Sequence, residues 1–94
     1  MPYLGETVKF KVTWTDYAGD AIDPDSQEAK LYDGNGDLVA TITSSQMVKE
    51  ETGVYSFDYT LPSSSASGTW KIVWTGTKDG NSFIVSKMFS VSEV

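Results

Sequence analysis

Carboxylates are the side chains of this 94-residue sequence best placed to do chemistry, and Asp16, Asp20, Asp23 and Asp25 fall close together around Gly19 and Pro24. Clustered carboxylates interleaved with backbone carbonyls are the ligand set of a hard cation such as Ca2+. Asp is equally an ordinary turn residue, because its side chain accepts hydrogen bonds from nearby backbone N–H groups, and this spacing matches no defined cation loop. Asp16, Asp20, Asp23 and Asp25 are the candidate cation ligands, with a solvated loop as the simpler reading. Asp33-Gly34-Asn35-Gly36-Asp37 places oxygens at the first, third and fifth positions of an EF-hand loop. It departs thereafter: Leu38 stands where glycine is needed and Ser44 where a bidentate glutamate is needed. That segment reads as a hairpin turn, and no cofactor is expected.

What the chain lacks narrows its function further. There is no histidine and no cysteine, and all seven basic residues are lysines. A Ser-His-Asp arrangement, an imidazole metal ligand, a thiolate nucleophile and a disulfide are therefore excluded. The serines of the low-complexity segment Ser63-Ser64-Ser65-Ala66-Ser67 have no base to activate them, and nothing marks a pair of carboxylates in a cleft. No catalytic residue is assigned, and an enzyme is not expected. Thirteen acids leave a net charge of −6, which disfavours nucleic acid, whose phosphates need a basic stripe. No apolar run approaches the ~20 residues that span a bilayer. Met1 to Glu6 carry neither the basic nor the apolar segment of a signal peptide. The chain is thus expected to stay inside, to leave by another route or to be part of a longer protein.

Three tryptophans in so short a chain raise the possibility of a sugar-stacking platform. Their spacing argues for a core instead. In Gly68-Thr69-Trp70-Lys71-Ile72-Val73-Trp74-Thr75-Gly76, Trp70, Ile72 and Trp74 share one face of a strand, and in Thr7 to Thr15 so do Val8, Phe10, Val12 and Trp14. Val54 to Leu61 alternates in the same way with Tyr55, Phe57 and Tyr59 on one side, as a partner across the core. Tyr3, Tyr17 and Tyr32 are then the exposed rings, too scattered to form a groove.

The remaining chain supplies the frame. Asp16 to Ser26 is a loop, and Gln27 to Tyr32 a strand with Ala29 and Leu31 inward. The Asn35-Gly36 pair predicts a tight hairpin in which both residues take positive φ, returning through a strand at Leu38 to Thr43. The pattern blurs between Ser44 and Thr52. Lys78-Asp79-Gly80-Asn81 is a second hairpin turn, after which Ser82 to Val91 closes the sheet. Its parity would turn Lys87 inward and Ile84 and Met88 outward, which a bulge near Ser86 would resolve. No window has helical periodicity. Six or seven short strands with turns between them indicate an all-β fold, an antiparallel two-sheet sandwich with Greek-key connections, in a single domain over residues 1–94; a small closed barrel is the alternative. Asp16–Asp25 and Asp33–Asp37 then lie about 20 Å apart at opposite ends of a strand. Glu50, Glu51 and Asp79 return to the first end and make it a negative rim.

Taken in order, Gly5-Glu6-Thr7-Val8, Asp33-Gly34-Asn35-Gly36, Thr52-Gly53-Val54-Tyr55, Gly68-Thr69-Trp70 and Phe89-Ser90-Val91 give a nearly end-to-end pattern that resembles bacterial immunoglobulin-like domains of the macroglobulin type. It is similar also to the small Ig-like proteins of tailed phages and prophages. The resemblance implies an Ig-like sandwich used as a non-enzymatic structural or protein-interaction module, in a virion or at a cell surface. A protein partner of unknown identity is implied, with no nucleic acid, no membrane insertion and no small-molecule ligand. Carbohydrate binding and Ca2+-dependent adhesion are the alternatives. The paired cysteines of antibody-type domains are absent.

Overall fold

The computed structural model describes residues 2–93; Met1 and Val94, the ends of the expected domain range, lie outside the described residues. Seven strands form among the described residues: β1 (Thr7–Thr13), β2 (Ser26–Tyr32), β3 (Leu38–Thr43), β4 (Val48–Glu51), β5 (Val54–Thr60), β6 (Gly68–Lys78) and β7 (Asn81–Val91). They make a three-stranded sheet in the order β1-β5-β4 and a four-stranded sheet in the order β3-β2-β6-β7. Every named pairing is antiparallel. The neighbours β1/β5 and β2/β6 are distant in sequence, since the chain changes sheet after β1, β3 and β5. This is the antiparallel two-sheet sandwich expected from the alternating patterns, of the Ig-like kind that the resemblance implies.

The inner faces are those the alternation predicts. Phe10, Val12, Trp14 and Phe57, from the side of the small sheet, face Trp70, Ile72 and Trp74 of the large one, all buried. Rings link the two sheets continuously: Trp70–Phe89 at 6.2 Å, Phe89–Phe10 at 5.4 Å, Phe10–Phe57 at 5.3 Å and Phe57–Trp74 at 5.2 Å between centroids. Such pairs contribute about 0.5–1.5 kcal/mol each beyond the area they bury. Aromatic bulk thus supplies the cohesion that disulfides cannot. Where a ring is large its neighbour is small: Gly76, beside Trp14, leaves space that a Cβ would fill at 3.1 Å from the indole.

Three local features differ from the sequence reading. The Asp33–Asp37 turn is wider than a two-residue hairpin. Gly36 has a φ of +86° while Asn35 does not enter that region, Asp33 N–H donates to the Asp37 carbonyl, and the Asp33 carboxylate accepts from the N–H groups of Asn35 and Asp37. That side chain stabilises the bend, so the second left-handed residue is unnecessary. The doubly left-handed turn lies instead at Asp79 (φ 52°) and Gly80 (φ 82°), between the paired Lys78 and Asn81.

The blurred segment holds a 3-10 turn, Ser44–Gln46, and the edge strand β4, none of whose residues is buried. The expected bulge near Ser86 is absent: β7 pairs with β6 in unbroken register from Asn81 to Val91. Lys87 does lie on the inward parity, opposite buried Ile72, yet it is exposed. An edge strand has a neighbour on one side only, so its inward side chains reach water past the rim of the sandwich and no bulge is required.

Candidate functional site

The four candidate cation ligands are separated into three structural roles. Asp16 closes its own loop: its carboxylate accepts the Asp20 N–H at 2.9 Å, and Asp20 returns its carbonyl to the Asp16 N–H at 2.8 Å. Asp25 ties that end to the β6–β7 turn, accepting the Asp79 N–H at 3.0 Å, with Lys78 Nζ at 3.8 Å.

Asp23 is the hub. One oxygen accepts from the Gly53 N–H at 2.9 Å and from the Tyr55 hydroxyl at 3.0 Å, and the other from Lys49 Nζ at 2.8 Å. The hydrogen bond from Lys49, followed by that from Gly53, holds its carboxyl down at about 2, against a smaller opposing effect of desolvation. Lys49 is raised by the same bond, and Tyr55 is raised first by burial and then by its bond to Asp23. The cation Asp23 holds is therefore an ammonium from β4. Among the described residues no group of three or more His, Cys, Asp or Glu side chains could hold a metal ion.

Sequence reasoning missed Lys49 as a partner of Asp23, although the signal was present in Thr52-Gly53-Val54-Tyr55, whose glycine and tyrosine both bind this carboxylate. Gly53 has a φ of +79° and passes so near the Trp14 carbonyl that a Cβ would lie 2.8 Å from it. The expected negative rim forms only in part. Asp25 and Asp79 meet there, but Glu50 lies on the outer face of the small sheet, where it accepts from the Ser56 hydroxyl and stands 3.6 Å from Lys9. The Ser56 bond, then Lys9, lowers the Glu50 carboxyl.

The tryptophans are interior. Trp14 is 1% exposed and Trp70 and Trp74 are 0% exposed. Trp14 Nε1 donates to buried Gln27 at 2.9 Å, and Trp70 Nε1 to the Ala66 carbonyl at 2.8 Å. Trp74 Nε1 is buried with no acceptor among the described residues. Tyr3 and Tyr17 are exposed and Tyr32 is half-buried, with Lys71 Nζ 5.3 Å from its ring centroid.

The concave surfaces lie elsewhere. A cleft of about 350 Å³ opens between the outer edges of β1 and β7, with Val8, Phe10, Ile72, Trp74 and Phe89 in its walls and Lys9, Lys11 and Lys87 among its lining residues. On the outer face of the large sheet Ile84 and Met88 are 70% and 72% exposed, on the same side as Lys71 and Val73. These edges and faces offer backbone groups and apolar contacts.

Comparison with known proteins adds one match. The model of the MG2 domain fits residues 4–91. No curated protein and no solved structure matches the chain.

Proposed function

Because this chain belongs to the MG2 domain family, macroglobulin-type and Ig-like, we propose that it is a non-enzymatic structural or protein-interaction module. It serves either a virion of a tailed phage or prophage or a larger protein at a cell surface. The observation that carries this reading is the burial of all three tryptophans, at 1%, 0% and 0% exposure. The rings that would stack on a sugar are spent on the core, and the carboxylates that would bind a cation are spent on turns and on Lys49. What remains for recognition is strand edges and an open sheet face, which suit a protein partner. A net charge of −6 turns nucleic acid away.

Binding of the intact chain to an array of polysaccharides and oligosaccharides, with melting curves at millimolar Ca2+, tests the reading. It expects no retained glycan and no rise in Tm; a glycan that binds, or a Ca2+-dependent rise, overturns it. The flanking genes separate its two settings: capsid and tail genes indicate a virion, and a longer reading frame around the domain indicates a surface protein.

A further inference from the structure

The cleft between β1 and β7 exists because the chain changes sheets at its start. Pro2 to Leu4 lie along the end of β7, with the Ser92 N–H donating to the Pro2 carbonyl and the Leu4 N–H to the Ser92 carbonyl, each at 3.0 Å. At Gly5, with a φ of +93°, the backbone turns away; its N–H donates to Leu61 at 2.7 Å, and from Thr7 onward it pairs with β5. The outer edge of β7, Asn81 to Val91, is left with β6 as its sole ladder partner among the described strands. Alternate residues of such an edge present unpaired N–H and C=O groups to the side.

We propose that this seam receives an extended segment of another protein, which presents apolar residues together with Asp or Glu on its cleft-facing side, added as a strand to the free edge of β7. The proposal rests on the module reading above and deepens it. Two observations favour that occupant. The floor of the cleft is apolar, closed by the Phe10–Phe89 contact at 5.4 Å, so it accepts every second side chain of an added strand.

Its charged lining residues are three lysines and no carboxylate, in a chain of net charge −6. Lys11 and Lys87 have no ion-pair partner among the described residues. This complements an acidic segment and disfavours a second copy, since two chains joined symmetrically through the middle of β7 would bring their Lys87 ammonium groups close.

The test is selection of a displayed library of random decapeptides on the intact chain. Enriched peptides are then measured on the wild type, on Lys87→Glu, and on Lys30→Glu as a reversal on the outer face of the large sheet. The expected peptides carry apolar and acidic residues at every second position, and lose about tenfold or more in affinity on Lys87→Glu but not on Lys30→Glu. Their binding slows hydrogen exchange at β7 and shifts the indole N–H resonance of Trp74, leaving those of Trp14 and Trp70 in place. Enriched peptides that ignore Lys87→Glu, or that protect the outer face instead of the β7 edge, overturn the seam and leave the module reading standing. Failure to enrich any peptide on any face overturns both.

Discussion

Substituting Gly34 tests how the β2–β3 turn is docked onto the serine loop. Gly34 does not have the positive φ that would require glycine, yet a Cβ placed on it would lie 1.9 Å from the Ser67 carbonyl oxygen and 2.8 Å from its carbon. Ordinary contact begins at 3.4 Å, so in Gly34→Ala the turn and the loop must part by about 1.5 Å. Parting them moves the neighbouring Ala66 carbonyl, which accepts both the Gly34 N–H at 3.3 Å and the Trp70 indole at 2.8 Å. Overpacking costs about 1–3 kcal/mol and each weakened hydrogen bond about 1 kcal/mol. A loss of about 2–4 kcal/mol follows, a drop in Tm of about 10–25 °C for a chain of this size. Gly36, two residues on, has a φ of +86° with nothing within 4 Å of the added Cβ. Gly36→Ala should therefore cost only the conformational penalty, about 1–2 kcal/mol. Urea midpoints at constant m measure both. Conformational propensity alone predicts the opposite order, so a Gly36→Ala loss equal to or larger than that of Gly34→Ala would refute the docking argument.

Other perturbations probe the core and the Asp23 hub. Trp70→Ala and Trp74→Ala should each lose roughly 3–5 kcal/mol in chemical denaturation, as large-to-small core changes do; a loss under about 1 kcal/mol would mean a ring that faces water. Gln27→Leu leaves the Trp14 indole without its acceptor and should destabilise by about 1–3 kcal/mol, with Trp14→Phe/Gln27→Leu less destabilised than the sum of its single changes. Asp23 is ordinarily a 3.8 carboxyl and is held at about 2 when folded, so its contribution is complete above about pH 4 and lost as pH falls toward 2. Urea midpoints followed from pH 6 to 2 should show Asp23→Asn, weaker at neutral pH, converging on the wild type in that window; parallel curves would refute the assignment.

Strands with one buried face were legible because their alternation is a direct image of burial. β1, β5 and β6 fall on Thr7–Thr13, Val54–Thr60 and Gly68–Lys78, and their inward residues are the core. Edge strands broke that image. All of β4 is exposed, so Lys49-Glu50-Glu51 carried no alternation to read; its visible anchors are Lys49 on Asp23 and Glu50 beneath Ser56. On β7 the parity was correct, but the inference that an inward lysine needs a bulge assumed that inward means buried, which fails at a rim. The candidate cation site was read from residue type alone. Type cannot say that the nearest cation to Asp23 is an ammonium more than twenty positions away, a pairing set by how β4 returns along β5. The motif glycines were legible as turns, while the reason Gly53 must be small, the Trp14 carbonyl against it, is a contact between loops that only the packed chain contains.

Whether the aromatic residues are structure or binding surface decides the whole account, and acrylamide quenching of tryptophan fluorescence in the intact chain measures it directly. With Trp14, Trp70 and Trp74 all at 1% exposure or less, native emission should be blue-shifted and nearly insensitive to acrylamide, becoming fully quenchable in urea. A native fraction of the emission quenched as readily as in the unfolded chain would contradict the account, because at least one indole would then stand open to ligand.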